Sequence, residues 1–254
     1  MNGYRIDNKY EYISRTVTDG TQRKYKKGEF FYKINKNGNE GYVEYLVYRL
    51  LCKSTIPKDM LVRYEYCRIN DRLGCRSKDF LTDNEQFMTI STVYERVTGN
   101  TNLSNKLMTM ENASQRLQYI VRIINEIGLS EEDFLIYFRV LIQLDWLIVN
   151  VDRHEHNYGV IYNSKTARFR IAPVFDNGMS LNTDRRDNLA ACTLSGSFEE
   201  QVTAFGYPVV PAFKIDYKEA FAELKRIEKL YGEHRELDML KSRLLLLRST
   251  FEMK

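Results

Sequence analysis

A chain of 254 residues, 43% apolar and 28% charged with a formal charge of +4, has the composition of a globular protein of one large domain or two lobes. That charge is too small for this length to require a nucleic-acid partner, and no apolar run reaches membrane-spanning length, because Arg139, Gln143 and Asp145 interrupt Leu135–Val149. The N-terminus is polar and charged, unlike a secretory leader, and the four cysteines (Cys52, Cys67, Cys75, Cys192) form no CxxC pair, so reduced thiols and a cytoplasmic location are expected.

The first dozen residues are polar and tyrosine-rich, suited to a short strand or a lead-in. Residues 13–24, ISRTVTDGTQRK, surround Gly20 with small and hydroxyl side chains and end in basic groups. Such a loop can offer backbone N–H groups and cations to phosphate; the competing reading is a basic turn. It lacks the pattern of a Walker loop. Glu29–Ile34 has the aromatic and β-branched character of a strand and carries Lys33. After a Gly- and Asn-rich turn, Val43, Leu46, Val47, Leu50 and Leu51 recur at helical spacing on a segment that carries Glu44. Met60–Ile69 and Cys75–Leu81 read as a hairpin across Asn70–Gly74. Lys78–Leu81 would lead into a hinge. Phe87–Val93 is strand-like, and Gly99-Asn100 marks a turn.

From there the pattern is helical. Leu117, Ile120, Val121, Ile124 and Ile127 keep the helical period up to Gly128. Ser130-Glu-Glu-Asp133 is a capping box that opens a helix running to about Val149. That helix is apolar nearly all round, which predicts burial. It delivers Asn150 and Asp152 from a rigid base. Beyond Leu181, Asn182–Gln201 is polar and is expected to be a loop beside the site, with Thr193, Ser195 and Ser197 open to modification. Pro208 and Pro211 bracket a kink. Two helices follow, Asp216–Tyr231 and Glu233–Thr250, the second with Leu237, Leu240, Leu244, Leu245 and Leu247 as its packing face.

The chemistry concentrates between Leu144 and Leu181. Asp152, Arg153, His154, His156 and Asn157 come together in sequence, ahead of two strand-like segments, Tyr158–Tyr162 and Arg168–Ala172, that flank a polar turn. Asp176, Asn177 and Gly178 follow the second segment. A hairpin brings its ends together, so Asp152, Asn157 and Asp176 are expected to converge. Two carboxylates and a carboxamide suit phosphoryl transfer, which needs Mg²⁺ on hard oxygen ligands and an oriented acceptor hydroxyl. Asp176 and Asn157 would supply the metal ligands and Asp152 would accept the hydroxyl hydrogen bond. The same residue types could instead be a solvated loop cap. A zinc site on His154 and His156 is poorly supplied, since His234 is the one remaining histidine and no cysteine pair has ligand spacing. His154 is expected to brace the loop and His156 to be exposed.

Asn150-Val-Asp152-Arg-His154-Glu-His-Asn157, followed by Ala172-Pro-Val-Phe-Asp176-Asn, resembles the signature of HipA-like serine/threonine kinases, that is, the C-terminal kinase domain of HipA proteins. More distantly it resembles the Asp-Arg-His-x-x-Asn loop of phosphatidylinositol kinases. The resemblance implies an α+β, bilobal, protein-kinase-like fold. Its small strand-rich lobe would span 1–81 and its larger helical lobe 82–254, with ATP in the cleft between them. It implies that Asp152 is the catalytic carboxylate and that Asn157 and Asp176 hold Mg²⁺. Gly20-Thr-Gln22-Arg-Lys24 resembles the Gly-x-Gln-x-Lys nucleotide loop of these kinases. Lys33 would be the phosphate lysine and Glu44 its partner, with Glu40 the second choice; the plain alternative for Lys33 is a surface lysine on a half-exposed strand. The resemblance covers about 13–181. The module that precedes the kinase core in full-length HipA proteins has no counterpart here, so toxin–antitoxin pairing and DNA-bound partners are not carried over. The implied activity is ATP- and Mg²⁺-dependent phosphorylation of a protein Ser or Thr, or, within the same class, of a lipid or small molecule. The reading from another class is a kinase-like nucleotide-binding regulator, or a nucleic-acid adaptor, without turnover.

Overall fold

The computed structural model describes residues 1–12, 22–36, 38–181 and 197–252. A five-stranded sheet is built from β1 (Asn2–Tyr4), β2 (Lys24–Lys27), β3 (Phe30–Ile34), β4 (Tyr64–Ile69) and β5 (Arg72–Lys78) in the order β1-β4-β5-β3-β2. β1 pairs parallel with β4, and the other pairs are antiparallel. The helix α1 (Glu40–Leu51) lies against β4 and β5 with Leu46, Val47 and Leu50 fully buried.

The β4–β5 hairpin is tighter than its sequence suggests. The connection is Asn70 and Asp71, both in the left-handed region at φ 49° and 66°, as a two-residue hairpin turn requires. Gly74, expected in the turn, is inside β5. A Cβ there would lie 2.1 Å from the Lys33 carbonyl oxygen, and one on Gly41 would lie 2.4 Å from the Gly74 carbonyl carbon. Two missing side chains thus let the strand bearing Lys33 and the helix bearing Glu44 close on β5.

A second sheet, in the order β6-β7-β8, contains the hairpin read from the sequence, β7 (Gly159–Asn163) and β8 (Arg168–Ile171). β6 (Glu85–Thr89) adds to its free edge, antiparallel to β7. The strand expected over Phe87–Val93 therefore stops at Thr89. There the Thr89 hydroxyl accepts the Thr92 N–H and caps α2 (Ile90–Thr98), which Gly99 ends at φ 73°. Ile90, Val93 and Tyr94 have β-propensity but are buried at helical spacing, and the cap decides between the two.

The remainder is helical: α3 (Leu103–Met108), α4 (Ala113–Glu126), α5 (Glu131–Ile148), α6 (Phe198–Ala204), α7 (Tyr217–Tyr231) and α8 (Arg235–Glu252). Ser130 caps α5 as expected, its hydroxyl accepting the Asp133 N–H. α5 is the buried centre of this half, with Leu144, Trp146, Leu147 and Ile148 inside; Ile136 is its one exposed large apolar residue. α6 begins within the segment expected to be loop, because Ser197 and Glu200 form a reciprocal capping box. In α8, Leu237, Leu240, Leu244 and Leu247 are buried, whereas Leu245 is 55% exposed and leaves the expected packing face. It lies one residue, hence about 100° of helical rotation, past Leu244. Among the described residues no helix is long and apolar enough to cross a membrane.

Candidate active site

The site begins where α5 ends. Val149 closes the helix in a left-handed conformation at φ 50°, with its N–H donating to the Asp145 carbonyl. A β-branched residue adopts that region only under constraint. The helix end is held from outside by Arg243 of α8. Its guanidinium lies 4.0 Å over the Trp146 ring and donates to the Trp146 and Leu147 carbonyls, two of the acceptors a helix end leaves unpaired.

The following loop is fixed by carboxamides. Asn150 Nδ2 donates to Asp145 Oδ1 at 3.0 Å while Asn150 Oδ1 accepts the Asp152 N–H at 3.1 Å. Asn157 Nδ2 donates to the Asp152 carbonyl at 2.7 Å, which turns the amide oxygen of Asn157 the opposite way. Asp152 is half-buried and Asn157 buried. His154 braces the loop, its Nδ1 accepting the His156 N–H at 3.3 Å. His156, expected to be exposed, is half-buried, and desolvation lowers its pKa. Glu155 accepts from the Ser104 hydroxyl of α3.

Past β8, Asp176 takes a left-handed conformation at φ 60°. Lys33 Nζ on β3 donates to Asp176 Oδ1 at 2.9 Å and lies 3.7 Å from Glu44 Oε1 on α1. Glu44 Oε2 accepts the Asn177 N–H at 3.0 Å, and the Tyr64 hydroxyl on β4 accepts the Asp176 N–H at 3.3 Å. Gly178 packs so close to α1 that a Cβ would lie 3.2 Å from Glu40. Glu44, the first choice of the two acids, lies beside Lys33.

The charges in this cluster follow from burial and proximity. Burial disfavours an ionised Asp176, but Lys33, with Lys24 and Arg153 adding to it, outweighs that and draws the carboxyl down to about 2. Burial likewise opposes the Lys33 cation, and Asp176, Tyr64 and Glu44 reverse that, so the ammonium stays charged far into the alkaline range. For Glu44 burial dominates: Lys33 pulls against it, Asp176 adds to it, and the carboxyl rises to about 7.

Among the candidates from the sequence, Lys33, Glu44 and Asp176 are in one cluster. Lys24 opens β2 directly opposite Lys33 in the strand register, and its charge acts on Asp176. Gln22 is half-buried ahead of β2. Gly20, Thr193 and Ser195 lie outside the described residues, and Ser197 is the α6 cap. The segments that carry Asn157 and Asp176 are joined through Arg153, whose guanidinium donates to the Asn157 and Phe175 carbonyls at 3.1 and 2.9 Å. The donor set fits Mg²⁺: one ionised carboxylate and one amide oxygen, with phosphate left to fill the rest. It does not fit zinc. No group of three or more His, Cys, Asp or Glu able to hold a metal occurs among the described residues, and His234 is stacked on Tyr42 instead.

Sequence reasoning missed Tyr64, Asp145, Asn177 and the role of Arg153. Asp145 carried a readable signal: a lone acid near the end of an apolar helix must find a buried partner. Nothing local marks Tyr64.

No protein-family model and no curated protein matches the chain. Among solved structures it is similar to the Helicobacter pylori proinflammatory kinase CtkA, with a TM-score of 0.54 and 16% identity, covering 97% of this chain and 95% of that one. It also aligns with a chain of the HipA, HipB and operator DNA complex of a Shewanella oneidensis MR-1 toxin–antitoxin system, at a TM-score of 0.43 and 11% identity, over 94% of this chain and 58% of that one. The full-length likeness to CtkA shows that this chain has a kinase fold, the α+β architecture that its resemblance to HipA-like kinases implied.

Proposed function

We propose that this protein is an ATP- and Mg²⁺-dependent phosphotransferase that moves the γ-phosphoryl group to a Ser or Thr hydroxyl of a protein substrate. The observation that carries the reading is the cluster of Lys33, Glu44 and Asp176, in which a strand lysine, a helix glutamate and a post-hairpin aspartate meet. Phosphoryl transfer uses that trio for positioning and charge stabilisation. In this reading residues 1–81 and 82–254 act as two lobes with the nucleotide between them. Lys33, with Lys24 and the Gly20–Gln22 loop, holds phosphate, and Glu44 orients Lys33. Asn157 and Asp176 hold Mg²⁺, which neutralises charge on the phosphates when bound. Asp152 accepts a hydrogen bond from the attacking hydroxyl, from a backbone fixed on both sides by Asn150 and Asn157. Buried Cys67 and Cys75 carry free thiols, which suits the cytoplasm.

The test is incubation with γ-labelled ATP and Mg²⁺, alone and with a cell lysate. The wild type is expected to label a protein on Ser or Thr. Asp152→Asn should lose about 10²-fold or more in rate with its thermal melt unchanged. Turnover by Asp152→Asn equal to wild type would remove Asp152 from the mechanism. Nucleotide-dependent stabilisation with no ATP consumption would instead mark a regulator, and label on lipid or a small molecule would change the acceptor.

A further inference from the structure

Arg153 is 6% exposed, and an unpaired guanidinium at that depth would be strongly unfavourable. Its charge is met by Asp145, one turn before the end of α5, which accepts from Nε at 3.1 Å and from an Nη at 3.0 Å. A structural ion pair needs no more than this. The remaining donors of the guanidinium go elsewhere. One Nη reaches the carbonyl of Asn157, a candidate metal ligand, and the carbonyl of Phe175, the residue before the other. The second Nη donates to Asn177 Oδ1 at 2.7 Å, on the far side of Asp176. Asp145 also accepts from Asn150, which fixes the Asp152 backbone. The segments of all three residues assigned to the chemistry thus hang from a single buried pair, anchored by Asp145 on α5. A planar fork with five donors can make these contacts at once; an ammonium cannot.

We propose that Arg153 is the positioning residue that sets the distance between the segment carrying Asn157 and the segment carrying Asp176, and so the affinity of the site for its divalent ion. The inference rests on the reading of Asn157 and Asp176 as metal ligands. Groups that orient metal ligands typically change metal affinity by about 10–100-fold when altered.

Two variants separate this role from plain stability. Arg153→Lys keeps a cation for Asp145 and loses the fork. Asn177→Ala keeps the ion pair and the Phe175 carbonyl bond and removes the side-chain tie on the far side of Asp176. The measurement is Mn²⁺ binding to the ADP-loaded 254-residue chain, read by loss of the free Mn²⁺ electron paramagnetic resonance signal, beside ADP affinity without metal and a thermal melt. Both variants are expected to melt cooperatively and to bind metal-free ADP like wild type, while Mn²⁺ affinity falls by about tenfold or more. Should Arg153→Lys fail to fold, Asn177→Ala decides. Wild-type Mn²⁺ affinity in the folded variants, or an equal loss of metal-free ADP binding, would overturn the positioning role and leave the metal site standing. Absence of Mn²⁺ binding by the wild type would overturn the functional reading, and this inference with it.

Discussion

Lys33 is the residue at which β3, α1 and the segment after β8 must agree, and the cost of that agreement falls on Glu44. Burial pushes its carboxyl up to about 7, above the ordinary glutamate value of 4.5, so the native state binds the Glu44 proton more tightly than the unfolded chain does. The associated stability is fully present below about pH 4.5 and is lost as pH rises through about 7. Ligand-free wild type is therefore expected to lose stability between pH 5 and pH 8 by more than Glu44→Gln, which cannot ionise. Urea midpoints for both proteins at the two pH values check this, and parallel slopes would show that Glu44 is ionised throughout. The same substitution should weaken nucleotide binding, because Gln cannot hold the Lys33 ammonium by charge.

At the scale of elements, the site depends on how closely backbones approach. α1 and β3 both press on β5 at Gly74, where a Cβ would meet the Lys33 carbonyl at 2.1 Å. Gly74→Ala is expected to destabilise by about 1–3 kcal/mol as the strands are pushed apart, and to lower nucleotide affinity because Lys33 moves with its strand. Gly3→Ala in β1 meets nothing within 4 Å and serves as the control. Equal denaturant midpoints for the two alanine variants would contradict the close-approach argument. The elements that periodicity identified most securely, α4, α5 and the β7–β8 hairpin, are those whose signals are local. β6 and α2 were confounded because one apolar run, Phe87–Val93, serves a strand in its first half and a helix in its second.

For the molecule as a whole, α8 supports the loop that carries Asp152 from its base. α8 buries Leu237, Leu240, Leu244 and Leu247 against the core, and Arg243 reaches from it to the carbonyls that end α5. Desolvation lowers the Arg243 pKa, yet the cation is retained over the Trp146 ring. Arg243→Ala removes a cation–π contact and carbonyl hydrogen bonds together, and should cost about 2–3 kcal/mol. In a protein of this size that is a fall in Tm of roughly 4–12 °C. On the proposed function, the rate of phosphoryl transfer should fall with it, since Asn150 and Asp152 follow that helix end. A melt within one degree of wild type would show that α5 needs no support from α8.

The sequence by itself determined α4, α5, the β7–β8 hairpin and the helical run that carries Glu44, because periodicity, caps and turn chemistry act over a few residues; Lys33, Glu44 and Asp152 were singled out by the resemblance to HipA-like kinases. Only the tertiary structure decided that Lys33 reaches Asp176 across 143 positions, that Glu44 holds Asn177 across 133, and that Tyr64 takes the Asp176 N–H across 112. It alone showed that Arg153 faces inward to join two loops and that Leu245 faces out. The physical reason is that a buried polar group must find its partner wherever the packed core places one, and spacing along the chain does not encode that place.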